Sequence, residues 1–134
     1  DIENAGLYRA NFEKLTQKIA ETDSALTRLL KDIPTRSFIV YHPALAYLAR
    51  DYNLTQHSIE FEGKNPSPAQ MKELVDMAKA ENIKIVFVQQ EFDIKNSEVI
   101  AREIGATSHT INPLAYEWDE ELIRIAQLLA SQEK

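Results

Sequence analysis

Ser37-Phe38-Ile39-Val40-Tyr41-His42-Pro43-Ala44 is the stretch on which the fold turns. Phe38 to Tyr41 is a short run of β-branched and aromatic residues, the length of one buried strand. His42 follows at once. Pro43 then stands where a helix can open, because proline has a helical φ and no N–H to leave unpaired. A strand feeding straight into a helix predicts an α/β unit. The histidine at the junction falls on the carboxyl edge of the strand, where open α/β sheets bind ligands.

Upstream of this unit, Asp1 to Lys31 holds no Pro and only Gly6. Tyr8, Phe12, Leu15, Ile19, Leu26, Leu30 and Ile33 recur mostly at three- and four-residue steps, which predicts one long amphipathic helix. Its apolar face is broken only near Thr22 and Asp23. At 1.5 Å per residue it is roughly 45 Å long, more than a domain of this size needs as cover. Such a helix either braces two lobes or serves as an oligomerisation helix.

Downstream, strands and helices alternate. A short helix is predicted over about 43–51, and a second strand over Leu54 to Phe61, with Ile59 and Phe61 on one face. Ser67-Pro68-Ala69-Gln70 is a helix start, with Ser67 as cap, Gln70 reaching back and Pro68 at the first helical position. Met71, Leu74, Val75 and Ala78 form its stripe. Ile83 to Val88 is a third strand, apolar enough to be covered on both faces. Asp93 is a cap for a helix over about 94–104 that ends at Gly105. Thr107 to Ile111 is a fourth strand, and Trp118 to Ser131 a final helix with Leu122, Ile125, Ala126 and Leu129 facing in. This order predicts an α/β fold: a four-stranded parallel sheet with helices on both faces, preceded by the long helix. The expected strand order is 2-1-3-4.

The composition, 44% hydrophobic and 27% charged over 134 residues, is that of one globular domain. A net charge of -6 and the lack of a basic stripe argue against a nucleic-acid partner. The chain has no cysteine, which excludes disulfides, thiolate catalysis and Cys-based metal sites. Only three glycines are present, too few for a dinucleotide or phosphate loop. No apolar run is long enough to span a bilayer.

The residues that follow the strands gather on one rim of a parallel sheet. They are His42, then Glu60 to Glu62, then Gln89, Gln90 and Glu91, then Asn112. No nucleophile stands beside a base there, and the histidine has no acid partner visible in the sequence, so no catalytic turnover is expected. His42 has two readings: a structural histidine bonded to nearby backbone, or a metal ligand. One imidazole cannot hold zinc alone, which takes about four donors. His57 lies towards the opposite edge and His109 within a strand, where structural roles are expected. Glu120 and Glu121 read as a solvated first turn, placed where the helix dipole favours negative charge.

The run Phe38 to Ala44, with Tyr47 and then Arg50-Asp51-Tyr52, resembles the second lobe of the metal-binding substrate-binding proteins of bacterial zinc and manganese ABC transporters. Pro66-Ser67-Pro68-Ala69-Gln70, Val86-Phe87-Val88 with Phe92, and Ile111-Asn112-Pro113-Leu114 match that family in the same order. The resemblance covers the whole chain. It implies a long interlobe helix over residues 1–33 and a C-terminal metal-binding lobe over 34–134, with a first lobe elsewhere that supplies further ligands. It also implies a periplasmic protein, or a lipoprotein anchored outside the cell, that captures a divalent metal and delivers it to an ABC permease.

On this resemblance His42 matches the first ligand of the second lobe, and histidine there favours zinc over manganese. The family's aspartate ligand falls on Asn112, whose neutral amide is a poorer donor. Gln89-Gln90-Glu91 departs from the family's usual Glu-Pro-Gln. The expectation is weak zinc binding by this chain alone, and self-association through surfaces the first lobe would cover. An alternative is a flavodoxin-like small-molecule, regulatory or enzymatic domain that uses the same sheet edge. Its phosphoacceptor version is disfavoured, because His42 and Gln89 stand where acidic residues are needed. A third reading is an interaction domain whose long helix pairs with a partner.

Overall fold

A computed structural model of the chain describes residues 1–90 and 94–132. The elements run α1 (Ala5–Leu30), β1 (Ser37–Val40), α2 (Ala46–Asp51), β2 (Thr55–Ser58), α3 (Pro68–Ala80), β3 (Ile85–Gln89), α4 (Ile94–Ile104), β4 (Thr107–Ile111) and α5 (Trp118–Ala130). The four strands form one sheet in the expected order β2-β1-β3-β4, and every pair is parallel.

Alternation along the central strands builds two cores. Phe38, Val40, Ile85 and Phe87 point to one face, where Leu26 and Leu30 of α1, Leu48 and Ala49 of α2, and Ile125, Ala126 and Leu129 of α5 cover them. Phe38 and Phe87 meet edge to face at 5.7 Å. Ile39, Val86 and Val88 point the other way, against Ala78 of α3 and Ile100, Ala101 and Ile104 of α4. Ile85 to Val88 of β3 are buried, as the nearly continuous apolar run predicts, and so is the polar Gln89 that ends the strand.

Three helices stop in the same way on the amino edge of the sheet. Asn53, Asn82 and Gly105 take positive φ of 53°, 54° and 66°. The next N–H then reaches back into the helix: Leu54 to the carbonyl of Ala49, Ile83 to Ala78, and Ala106 to Ala101. This is the left-handed cap that glycine and asparagine favour, and each time it delivers the chain directly into a strand. The start of α3 is also as expected: Ser67 and Gln70 form a reciprocal capping box, and Pro68 opens the helix.

Several expectations are corrected. Pro43 does not open α2, which begins at Ala46. The Ala44 N–H bonds the His42 carbonyl in a tight turn, and the Leu45 N–H is taken by Gln56 Oε1 of β2. Phe61 does not share the buried face of Ile59; it is exposed and pairs with Lys64 across a turn in which Glu62 and Gly63 both have positive φ. Asp93, the expected cap of α4, lies outside the described residues.

The stripe of α1 is not interrupted at Thr22. That residue is buried, and its hydroxyl bonds back to the Lys18 carbonyl. The change lies further up the helix. Leu26 and Leu30 are buried, whereas Leu7, Tyr8, Phe12, Leu15 and Ile19 are exposed, Phe12 to 67%. The boundary is marked by Lys18, whose Nζ lies 2.9 Å from Asp119 Oδ2 and 5.9 Å from the Trp118 ring centre at the start of α5.

Candidate metal centre

The register of the sheet builds the site. In β1 and β2 each residue pairs with the one 18 positions later, from Ser37 with Thr55 to Val40 with Ser58. Pairing persists past the strand ends, with the Ile59 N–H on the Val40 carbonyl and the Glu60 N–H on the Tyr41 carbonyl. The same offset sets Glu60 beside His42. Their side chains meet, with His42 Nδ1 3.0 Å from Glu60 Oε2. The imidazole is about half exposed, at 46%, while the carboxylate is 11% exposed. The expectation that this histidine lacks an acid partner is therefore corrected. In the sequence Glu60 is one rim residue among several, because its relation to His42 depends on the register.

Gln89 fixes the same residue from the other side. It is buried at the end of β3, and its amide clamps the His42 backbone: Nε2 donates to the His42 carbonyl at 2.7 Å, and Oε1 accepts the His42 N–H at 3.3 Å. Gln89 is thus a support and not a group displayed on the rim. Gln90 is exposed in the turn that follows, and Glu91 lies outside the described residues.

Asn112 follows β4 on the same edge. Its Oδ1 accepts the Leu114 N–H at 3.1 Å, closing the turn into Pro113-Leu114. Its own N–H donates to Glu121 Oε1 at 2.8 Å. Glu121 is no solvated surface residue. Arg124 grips it through Nε at 2.9 Å and through a second nitrogen at 2.6 Å, and also reaches the Thr110 carbonyl at 2.8 Å. That guanidinium holds the Glu121 carboxyl below its usual range, against the opposing effect of burial. Two strand spacings separate the backbones at His42 and Asn112, about 10 Å.

Among the described residues no group of three His, Cys, Asp or Glu side chains is placed to hold a metal ion. The edge offers one imidazole with a carboxylate behind it and one amide occupied in a turn. A groove of about 380 Å³ lies next to it between α1, α2 and α5. It is lined by Leu26, Leu45, Leu48, Trp118 and Leu122, with Asn112 on its wall and His42 outside it. His57 and His109 stand apart from the site, with His57 Nε2 on Glu81 Oε2 at 3.1 Å and His109 Nε2 on the Thr107 hydroxyl at 3.1 Å.

The family model for the zinc-uptake complex component A, periplasmic, matches residues 1–127. The chain belongs to this family. The high-affinity zinc uptake system protein ZnuA of Bacillus subtilis (strain 168) is 29% identical over 116 residues, which are 85% of this chain and 36% of that protein. Among solved structures, a crystal structure of ZnuA superposes with a TM-score of 0.93 at 42% identity, covering 97% of this chain and 51% of that one. The laminin-binding protein Lmb of Streptococcus agalactiae, described as having adhesin and metal-transporting activity, gives 0.88 at 26% identity, covering 100% and 55%. The chain thus spans about half the length of these solved relatives. No helix among the described residues is long and apolar enough to cross a membrane.

Proposed function

We propose that this chain is the second lobe, with its interlobe helix, of a two-lobe protein that captures zinc outside the cytoplasm and hands it to an ABC permease. The observation that carries this reading is His42, a half-exposed imidazole on the carboxyl edge, held by a carboxylate and a buried amide, in a chain of the zinc-uptake family. Neutral imidazole suits zinc better than it suits the harder manganese ion. Tyr47, Leu114 and Tyr116, which follow β1 and β4, are exposed, and α1 exposes its upstream stripe. Both surfaces fit a partner lobe that brings the missing donors. The metal is cargo, so the chain binds and releases it and performs no catalysis. With one strong donor among the described residues, this lobe alone binds zinc weakly, and its exposed stripe drives self-association.

The test is a zinc titration by calorimetry on a protein that carries both lobes. His42→Ala is expected to lower affinity sharply, since it removes one of about four ligands. Asn112→Asp is expected to raise it by adding a charged oxygen while keeping an acceptor for the Leu114 N–H. Zinc affinity unchanged by His42→Ala would leave His42 a structural histidine and end the metal assignment of this lobe.

A further inference from the structure

We propose that Glu60 and Gln89 are positioning residues for His42: Glu60 fixes the imidazole in the Nδ1–H tautomer, and Gln89 fixes the backbone from which the ring projects. This rests on the reading of His42 as a metal ligand.

A carboxylate accepts and does not donate, so the 3.0 Å contact between Glu60 Oε2 and His42 Nδ1 calls for the proton on Nδ1. A neutral ring has one N–H, and its lone pair then lies on Nε2. Free imidazole exchanges between its two tautomers; a fixed acceptor behind Nδ1 removes that choice. Histidines that bind metals are commonly oriented this way, and the acceptor also raises the basicity of the ligating nitrogen.

Glu60 is itself firmly held. Its N–H is on the Tyr41 carbonyl at 3.0 Å, and the Ser58 hydroxyl donates to its carbonyl at 3.1 Å. The Glu62-Gly63 turn packs over its carboxylate: a Cβ on Gly63 would lie 3.8 Å from Glu60 Oε1. The base of that loop is tied by the Tyr41 hydroxyl, which donates to Asn65 Oδ1 at 2.6 Å.

Gln89 solves a different problem. The β1–β3 ladder ends at Val40 with Phe87, with one further bond from the Tyr41 N–H to the Phe87 carbonyl. Beyond it the chain bends away, and the His42 peptide groups lose strand partners. The buried Gln89 amide supplies both, donating to the carbonyl and accepting from the N–H. A buried polar side chain is tolerated in an apolar strand when its groups are paired, and here both pairs are spent on one residue.

The test uses a ¹⁵N-labelled protein that carries both lobes, long-range ¹H–¹⁵N spectra of the His42 ring, and titration with Zn²⁺ alone. Wild type is expected to show the Nδ1–H pattern, with Zn²⁺ shifting the Nε2 signal. Glu60→Ala is expected to give mixed tautomers and about tenfold weaker zinc binding, and Glu60→Gln, whose amide oxygen still accepts, to restore part of both. Gln89→Met is expected to weaken binding with the tautomer intact, which separates the backbone effect from the ring effect. Circular dichroism confirms that each variant is folded. A His42 ring that ignores Zn²⁺ in the wild type overturns the metal reading itself. A ring that responds to Zn²⁺ but keeps its tautomer and affinity in Glu60→Ala overturns the positioning role and leaves the metal reading intact.

Discussion

His109 sits in the middle of β4, partly buried, with its Nε2 on the Thr107 hydroxyl and the Arg124 charge nearby. Burial first, and then Arg124, holds its imidazole below the ordinary 6.5. The fold therefore favours the neutral ring. Its contribution to stability is full above about pH 6.5 and is lost as the pH falls from there through the lower folded-state value. Urea denaturation across this window should show the wild-type midpoint falling more steeply on acidification than that of His109→Gln; equal slopes would remove His109 from the account. His42 is legible in the sequence, because a strand and a proline bracket it. Glu60 and Gln89 are not assignable to it there, because their roles depend on register and on which way a side chain turns at a strand end. Asn112 is marked by resemblance, but its place in a turn is visible only in the contact of Oδ1 with Leu114.

At the scale of the element, α1 is two helices in energetic terms. Leu26 is almost wholly buried and Phe12 is not, although both belong to one stripe. Leu26→Ala is expected to cost about 2–4 kcal/mol in urea denaturation, the usual range for emptying a core position. Phe12→Ala is expected to stay within about 0.5 kcal/mol, as exposed substitutions do. Similar losses at both positions would mean that the upstream half packs on something in this chain. The periodicity of α1 is plain in the sequence. Where its cover ends is not, because an apolar stripe records that a partner exists and says nothing of whose surface it is. The start of α2 departs from expectation because the chain after Pro43 is held in a tight turn by the Ala44 N–H on the His42 carbonyl, and the helix begins only at Ala46.

Across the whole molecule, both cores follow from alternation along the strands, a signal that is local and therefore readable, whereas the strand order β2-β1-β3-β4 is expected only by analogy with doubly wound sheets. The surfaces left over are less local. Tyr8, Phe12, Leu15 and Ile19 lie exposed on one helix face. Sedimentation of the isolated chain should therefore show dimers or larger species, and Phe12→Glu with Leu15→Glu should return it to monomer. A clean monomer in the wild type, with no uptake of an apolar dye, would contradict this. The salt bridge between Lys18 and Asp119 has a further consequence, one of leverage. From Lys18 to Ala5 the helix runs roughly 13 residues beyond this ion pair with α5, an arm of roughly 20 Å. A tilt of about 5° at that pivot swings the tip by about 2 Å. Metal–donor distances tolerate only about 0.2 Å. Any body carried at the tip would thus be aimed by the packing of Leu26 and Leu30 against α5, and a small change of angle there would matter to it as much as a choice of ligands.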